Sequence, residues 1–172
     1  MKWILWIFVT RAGFLILIVL IGWLLPRDHV ATRQGRYRQP PEAIWTAITD
    51  VDAMPSWRQG LKSVKRLPDK NGLPAHIEVT NSGEIPMETV EMIPPRRLVG
   101  RIADPNLPFG GTWTFEVTPT AEGGALRITE NGYVTNPVFR FLSRFVFGYT
   151  GTIEMYLKSL AKKFGEEPRI EE

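Results

Sequence analysis

Histidine is the side chain whose ordinary pKa lies nearest neutrality, and this chain has two, His29 and His76. His76 falls in the alternating stretch 75–80, on the strand face opposite Ile77 and Val79, and His29 follows the apolar N-terminal run. Both read as solvent-exposed. Glu130 stands apart, because it shares parity with Leu126 and Ile128. A strand would turn all three to one apolar face. Desolvation there raises a carboxyl pKa and suits it to general acid or base work. The competing reading has Glu130 paired with Arg140 or Arg101, or wet at a strand end. The sequence contains no cysteine, which excludes disulfides, thiolate metal sites, iron–sulfur clusters and a cysteine nucleophile. It has no His-Glu-x-x-His helix, no Gly-x-Ser-x-Gly elbow and no phosphate-binding Gly-rich loop. Metal-hydrolase, α/β-hydrolase and nucleotidase chemistry therefore lacks its residues. No metal and no cofactor is expected, and Glu130 is the single catalytic candidate.

Apolar and aromatic residues dominate the remaining candidates. Trp45, Trp57, Trp113, Phe115, Leu126, Ile128, Tyr133, Tyr149 and Ile153 are expected to form a core, some of them lining a ligand cavity. Phe139, Phe141, Phe145 and Phe147 crowd the start of the last helical stretch, as core or as an apolar lip.

The elements that position these residues follow from periodicity. Residues 41–50 read as a helix, with Pro41 at its first position, Glu42 at the positive dipole end and Ile44, Trp45 and Ile48 as an apolar stripe. Residues 52–57 suggest a short helical piece capped by Asp52. Strand signals follow at 61–67, 75–80, 85–93, 98–102, 112–118 and 126–134, with a short extended run at 35–39 before them. Turn chemistry at Asn71-Gly72, Ser82-Gly83 and Gly123-Gly124 separates several of them. Leu142, Phe145, Tyr149, Ile153, Leu157, Leu160 and Phe164 step by three or four, predicting one continuous amphipathic helix ended by Gly165. Residues 166–172 read as a charged, frayed tail. Strands bracketed by helices in this order give an α+β class. An amphipathic helix closing a curved sheet leaves a natural ligand space between them.

The N-terminus carries a separate expectation. Residues 3–25 hold a single charge, Arg11, and as a helix they would extend roughly 34 Å, enough for a hydrocarbon core of about 30 Å. Tryptophans 3, 6 and 23 lie toward the ends of the run, Pro26 stops it, and Arg11 would snorkel toward the nearer interface. A retained membrane anchor is expected rather than a cleaved signal peptide, since no small-residue cleavage site follows promptly. Arg27, Arg33, Arg36 and Arg38 outnumber the basic groups on the other side, so the expected placement is a single-pass membrane protein with its domain facing the cytoplasm. The net charge of +3 comes entirely from Lys2, Arg11 and Arg27 in the first 27 residues. The rest is balanced, a poor electrostatic match for a phosphate backbone, so nucleic acid is not an expected partner.

Three groups of motifs, in order, complete a pattern. They are 40–45 with 49–52 and 55–57; Pro94-Pro95-Arg96-Arg97-Leu98-Val99 with 111–115; and 128–132 with Asn136-Pro137 and the last helix. In this order, over residues 32–165, the chain resembles the SRPBCC (START/Bet v 1-like) superfamily, particularly its polyketide cyclase/dehydrase and lipid-transport branch. The resemblance implies a helix-grip fold, a curved antiparallel sheet of about six or seven strands around a long C-terminal helix, with a hydrophobic cavity. It does not imply one reaction. Three regions are expected: an anchor at 1–27, a ligand-binding domain at 28–165 and a tail at 166–172. The leading expectation is a non-enzymatic domain taking a hydrophobic ligand such as a lipid, isoprenoid or polyketide-like molecule. A cyclase or dehydratase using Glu130, and an interaction module with a collapsed cavity, stand beside it.

Overall fold

The structure is a computed structural model that describes residues 2–172, with the backbone alone for residues 2, 4, 5 and 7–9. Helix α1 (Lys2–Leu24) leads into β1 (Asp28–Tyr37), α2 (Pro41–Thr49) and a 3-10 turn at Met54–Ser56. Six strands follow: β2 (Leu61–Lys70), β3 (Leu73–Thr80), β4 (Gly83–Ile93), β5 (Arg97–Ile102), β6 (Phe109–Thr120) and β7 (Gly123–Val134). Helix α3 (Pro137–Leu142), a π-helical turn at Ser143–Phe147, α4 (Gly151–Lys163) and β8 (Arg169–Glu171) complete the chain.

The strands form one antiparallel sheet in the order β2-β3-β4-β5-β6-β7-β1-β8. Each of β2 to β6 pairs with its successor, and β1 closes against β7. The class is α+β, as expected, with eight strands. A bulge at Val90 in β4 interrupts the register with β5, and bulges of this kind bend a strand and tighten its twist. The core lies where α2 and α4 press on β6, β7 and β1. Ile44, Ile48, Leu126, Ile128, Ile153, Leu157 and Leu160 are fully buried there. Tyr37 ties the layers together by donating its hydroxyl to the Leu157 carbonyl at 3.1 Å.

Three local expectations change. The C-terminal helix is not continuous: it breaks at Gly148, whose φ of 72° lies in the left-handed region that glycine adopts without strain. Residues 169–171 pair with Gln34–Arg36 as an edge strand instead of fraying. Asp52 is not a cap but an ion partner of Arg66, and the 3-10 turn has no side-chain cap; the Asp50 carboxylate, just before it, accepts from the Ala53 N–H at 3.2 Å. Gly165 ends α4 as expected, at φ 69°, with the Glu166 N–H donating to the Ala161 carbonyl.

The membrane expectation for residues 3–25 is also corrected, and with it the single-pass, cytoplasm-facing placement. Among the described residues no helix is long and apolar enough to cross a membrane. Within the expected span, the side chains of residues 4, 5 and 7–9 lie outside what is described. Helix α1 itself runs Lys2–Leu24. Its C-terminal end is instead docked on α3. A Cβ on Gly22 would fall 1.9 Å from the Pro137 carbonyl oxygen, so α1 and α3 touch backbone to backbone. The buried Arg140 guanidinium clamps the junction, donating to the carbonyls of Leu25 and Thr135 at 2.9 and 3.0 Å. Gly22→Leu should therefore displace α1 from α3 and leave the sheet intact, an outcome that limited proteolysis near Pro26 would reveal as new cleavage.

Candidate functional site

Cross-strand register sets the inner face of the sheet. Thr89, Gly100, Trp113, Glu130 and Ala31 lie directly opposite one another across five strands. A second row runs Leu98, Phe115, Ile128 and Arg33, and a third begins at His76 with Met87 and Ile102. Side chains in a row share a face. Where α2 and α4 cover it, at Ile128 and Leu126, the face is fully buried. Toward β4 and β5 the cover thins, and Met87, Leu98, Gly100, Ile102, Trp113 and Phe115 are half-buried. The π-helical turn carries Phe145, Val146 and Phe147 into solvent. Phe145 and Phe147 are thus not core residues.

At one end of the face stands Glu130. Its carboxyl oxygen Oε1 lies 3.7 Å from His29 Nε2, with the two side chains 19% and 11% exposed. Burial pushes the Glu130 pKa above the usual carboxylate range, opposed in part by a hydrogen bond from the Trp113 indole. Burial likewise lowers the His29 pKa, against the pull of Asp28. The His29 ring stacks on Tyr149 at 4.3 Å between centroids and 12° between planes, and the Arg144 guanidinium lies 5.8 Å from the Tyr149 ring centroid. His29 is thus half-enclosed, contrary to the exposed reading. The two arginines of the competing reading bind elsewhere, Arg101 to Glu88 and Arg140 to backbone carbonyls.

Gly132 makes the pair possible. A Cβ at this position would sit 2.6 Å from His29 Cε1 and 3.0 Å from Glu130 Oε1. Gly132→Ala should therefore push the imidazole off Glu130 and off Tyr149, at a cost of about 1–3 kcal/mol for overpacking. Chemical denaturation gives the cost, and loss of the ring-current shift on the His29 Hε1 resonance reports the displacement. A raised carboxyl pKa means that the folded state holds its proton more tightly than the unfolded one. Glu130 therefore costs stability as pH rises from the ordinary glutamate range through its folded pKa. Glu130→Gln should stabilise the fold above that window, flattening the pH profile measured by thermal unfolding.

A second polar group was invisible in the sequence reading. His76 and Glu78 point inward, reversing the expectation for β3: Ile77 and Val79 take the outer face. Glu78 is ion-paired with Arg58, which follows the 3-10 turn, and His76 Nε2 lies 3.7 Å from the same Glu78 oxygen. Burial raises the Glu78 pKa, but the hydrogen bonds and charges of His76 and Arg58 outweigh it and hold the carboxyl below its usual range. The Arg58 guanidinium also lies 5.2 Å from the Tyr156 ring centroid. Tyr156, on α4, packs edge-on against Trp57 at 5.4 Å and Trp113 at 6.3 Å, and against Phe115 at 5.5 Å.

The aromatic candidates therefore split. Trp57, Trp113 and Phe115 meet around Tyr156, Tyr149 joins His29, and Trp45 packs on the main core. Leu126, Ile128 and Ile153 are core residues without exposed surface. Tyr133 is not brought to this face: it has the outward parity of β7 and lies over Gly110, whose Cβ would meet its hydroxyl at 2.3 Å. Two pockets open elsewhere. One of about 360 Å³ runs along α1 by Arg11 and Phe14, and one of about 310 Å³ lies among Arg36, Tyr37, Glu122, Glu166 and Arg169. Neither lies under α4, where Tyr156 packs against Trp57, Trp113 and Phe115. No cluster of three or more potential metal ligands occurs among the described residues.

The comparisons with known proteins agree on the fold. The family described as polyketide cyclase/dehydrase and lipid transport matches residues 32–165. A protein of Thermobifida fusca, solved in solution, is 21% identical with a TM-score of 0.60, over 81% of this chain and 94% of that one. A crystal structure from Thermus thermophilus is 19% identical with a TM-score of 0.60, over 79% and 95% of the two chains. The di-domain ARO/CYC StfQ from the steffimycin biosynthetic pathway is 16% identical with a TM-score of 0.57. That match spans 81% of this chain and about half of StfQ, 52%. No curated protein matches in sequence.

Proposed function

The chain belongs to the polyketide cyclase/dehydrase and lipid transport family, and from that premise we propose that it binds a hydrophobic ligand, a lipid, isoprenoid or polyketide-like molecule, along the inner face of its sheet. The observation that carries this reading is the half-buried apolar surface of β4 to β6. Met87, Leu98, Ile102, Trp113 and Phe115 lie on a sheet face that α4 covers only in part. Burying apolar area of this kind yields about 25 cal/mol per Å², so a ligand covering about 200 Å² there gains roughly 5 kcal/mol before the costs of association.

Titration with the fluorescent fatty acid cis-parinaric acid tests the reading, and native mass spectrometry of the purified protein tests it independently through co-purifying lipid. Gly100 is the discriminating position. A Cβ there meets only Met87 Cε, at 3.7 Å, in the middle of the row from Thr89 to Glu130. Gly100→Phe should fill the face, weakening binding at least tenfold while leaving the unfolding temperature close to that of the parent. Parinaric acid that binds both proteins equally, or neither, removes the face as the site.

A second reading rests on Glu130. The StfQ structure is described as an ARO/CYC di-domain, and a carboxyl with a raised pKa suits proton transfer in a dehydration. Glu130 would give its proton to a departing hydroxyl, which leaves as water as its C–O bond breaks. The resulting carboxylate would take the proton from the adjacent carbon as the double bond forms. Turnover of a β-hydroxy ketone that disappears in Glu130→Gln, with parinaric acid binding retained, separates this chemistry from simple carriage.

A further inference from the structure

Four buried polar atoms near α4 have no hydrogen-bond partner among the described residues: Trp57 Nε1, both ring nitrogens of His76 and the Tyr156 hydroxyl. Buried polar groups in folded proteins are almost always paired, so four in one neighbourhood call for an explanation. Tyr156 is only 3% exposed and His76 only 9%. They belong to one connected group: Trp57 packs on Tyr156, Arg58 lies over the Tyr156 ring, and Arg58 is bound to Glu78 beside His76. The same Tyr156 ring touches Trp113 and Phe115, which belong to the proposed ligand face. The polar group and the apolar face therefore meet at one residue.

We propose that this group is the polar end of the ligand site and recognises a neutral oxygen, a carbonyl or ether, on an otherwise apolar molecule. This rests on the ligand-binding reading above and adds the chemistry of what is bound. The charge balance sets the class. The Arg58 guanidinium is neutralised by Glu78, which stays ionised because its pKa is held low, so neither an anion nor a cation finds an uncompensated partner. The donors set the rest. Indole N–H only donates, and the tyrosine hydroxyl has a proton to give. An acceptor oxygen pairs with such a donor, whereas a hydrocarbon leaves it unpaired. Sites built to hydrogen-bond a ligand group discriminate strongly against the analogue that lacks it.

The test compares 2-acetylnaphthalene with 2-ethylnaphthalene, two molecules of nearly equal shape that differ in the carbonyl oxygen. Isothermal titration should show the ketone binding at least tenfold more tightly. Tyr156→Phe should cost the ketone about tenfold and leave the hydrocarbon unchanged. In infrared spectra the bound ketone should show a carbonyl stretch shifted to lower frequency, a shift diminished in Tyr156→Phe. The variant keeps the ring and loses only an unpartnered hydroxyl, so its unfolding temperature should equal or exceed the parent's. Equal affinity of the two compounds, or equal loss of both in Tyr156→Phe, overturns the inference and indicates groups satisfied by buried water alone. If neither naphthalene binds while cis-parinaric acid does, the inference falls and the binding reading stands. If none of the three binds, both fall.

Discussion

Replacing Arg58 by alanine should lower the unfolding free energy by about 3 kcal/mol, the lower end of the range for breaking a buried ion pair. Glu78 is the reason. Its side chain is 9% exposed, its charge partner is Arg58, and the guanidinium, itself 23% exposed, covers the Tyr156 ring. Without Arg58 the carboxylate stays buried beside His76 with its main cation gone, and desolvation then pushes its pKa up instead of down. The sign of the pH dependence therefore reverses locally. In the parent, the low Glu78 pKa contributes stability that is present above the ordinary glutamate range and is lost as pH falls through the folded pKa. In Arg58→Ala the same carboxyl prefers its proton, so the variant loses less at mildly acidic pH than at neutral pH. Urea unfolding of both proteins from mildly acidic to neutral pH measures this. Parallel profiles would mean that Arg58 acts only through packing on Tyr156. Arg58→Ala with Glu78→Gln should recover part of the loss, because no charge is then left buried.

The second large effect lies in the core between α4 and the sheet. Leu157→Ala should destabilise the domain by about 2–5 kcal/mol, from lost transfer energy and the cavity left behind. Leu157 has no exposed surface, and its carbonyl accepts the Tyr37 hydroxyl. Tyr37 is so enclosed that burial drives its pKa upward. The site cannot collapse easily, because Gly35 presses against both neighbours: a Cβ there would lie 2.6 Å from the Tyr37 hydroxyl and 3.2 Å from Leu157 Cδ2. Backbone surrounds with so little slack favour the upper half of the range. Denaturant titration with an unchanged m-value would assign the loss to stability alone. By contrast Leu67, which is exposed on the edge strand β2, should tolerate alanine within about 0.5 kcal/mol.

The two effects map onto the two halves of the sheet. Around α4, β7 and β1 the apolar side chains Leu126, Ile128, Ile153, Leu157 and Leu160 have no exposed surface, which fixes the scaffold. Toward β3, β4 and β5 the same inner face carries His76, Glu78, Thr89 and half-buried apolar side chains. Proteins place binding surface where packing is incomplete and stability is locally low. In this chain the rigid half holds the open half in register through the continuous rows that cross β5, β6 and β7.

Local periodicity and turn chemistry were enough to place most of the elements. Helix α2 begins at Pro41 because proline suits a first helical position, and several strands end where glycines and an asparagine accept unusual backbone angles. The inward parity of Glu130 was also legible, since Leu126 and Ile128 share its side of the strand at a spacing of two. Which face of β3 lies inside was settled by packing between distant segments. A six-residue alternation specifies two faces but not their direction, and the usual preference for burying Ile77 and Val79 yields when Arg58, distant in sequence, neutralises Glu78. The same holds for the broken C-terminal helix. Its apolar steps run on through Phe145 and Tyr149, yet Gly148 and the contact of Tyr149 with His29 turn the chain aside. The partner of Glu130 came from a residue about a hundred positions away, brought beside it by the pairing of β1 with β7. Spacing along a chain encodes which residues share a face. Which faces meet, and which polar groups are matched across them, is settled only when the whole sheet closes.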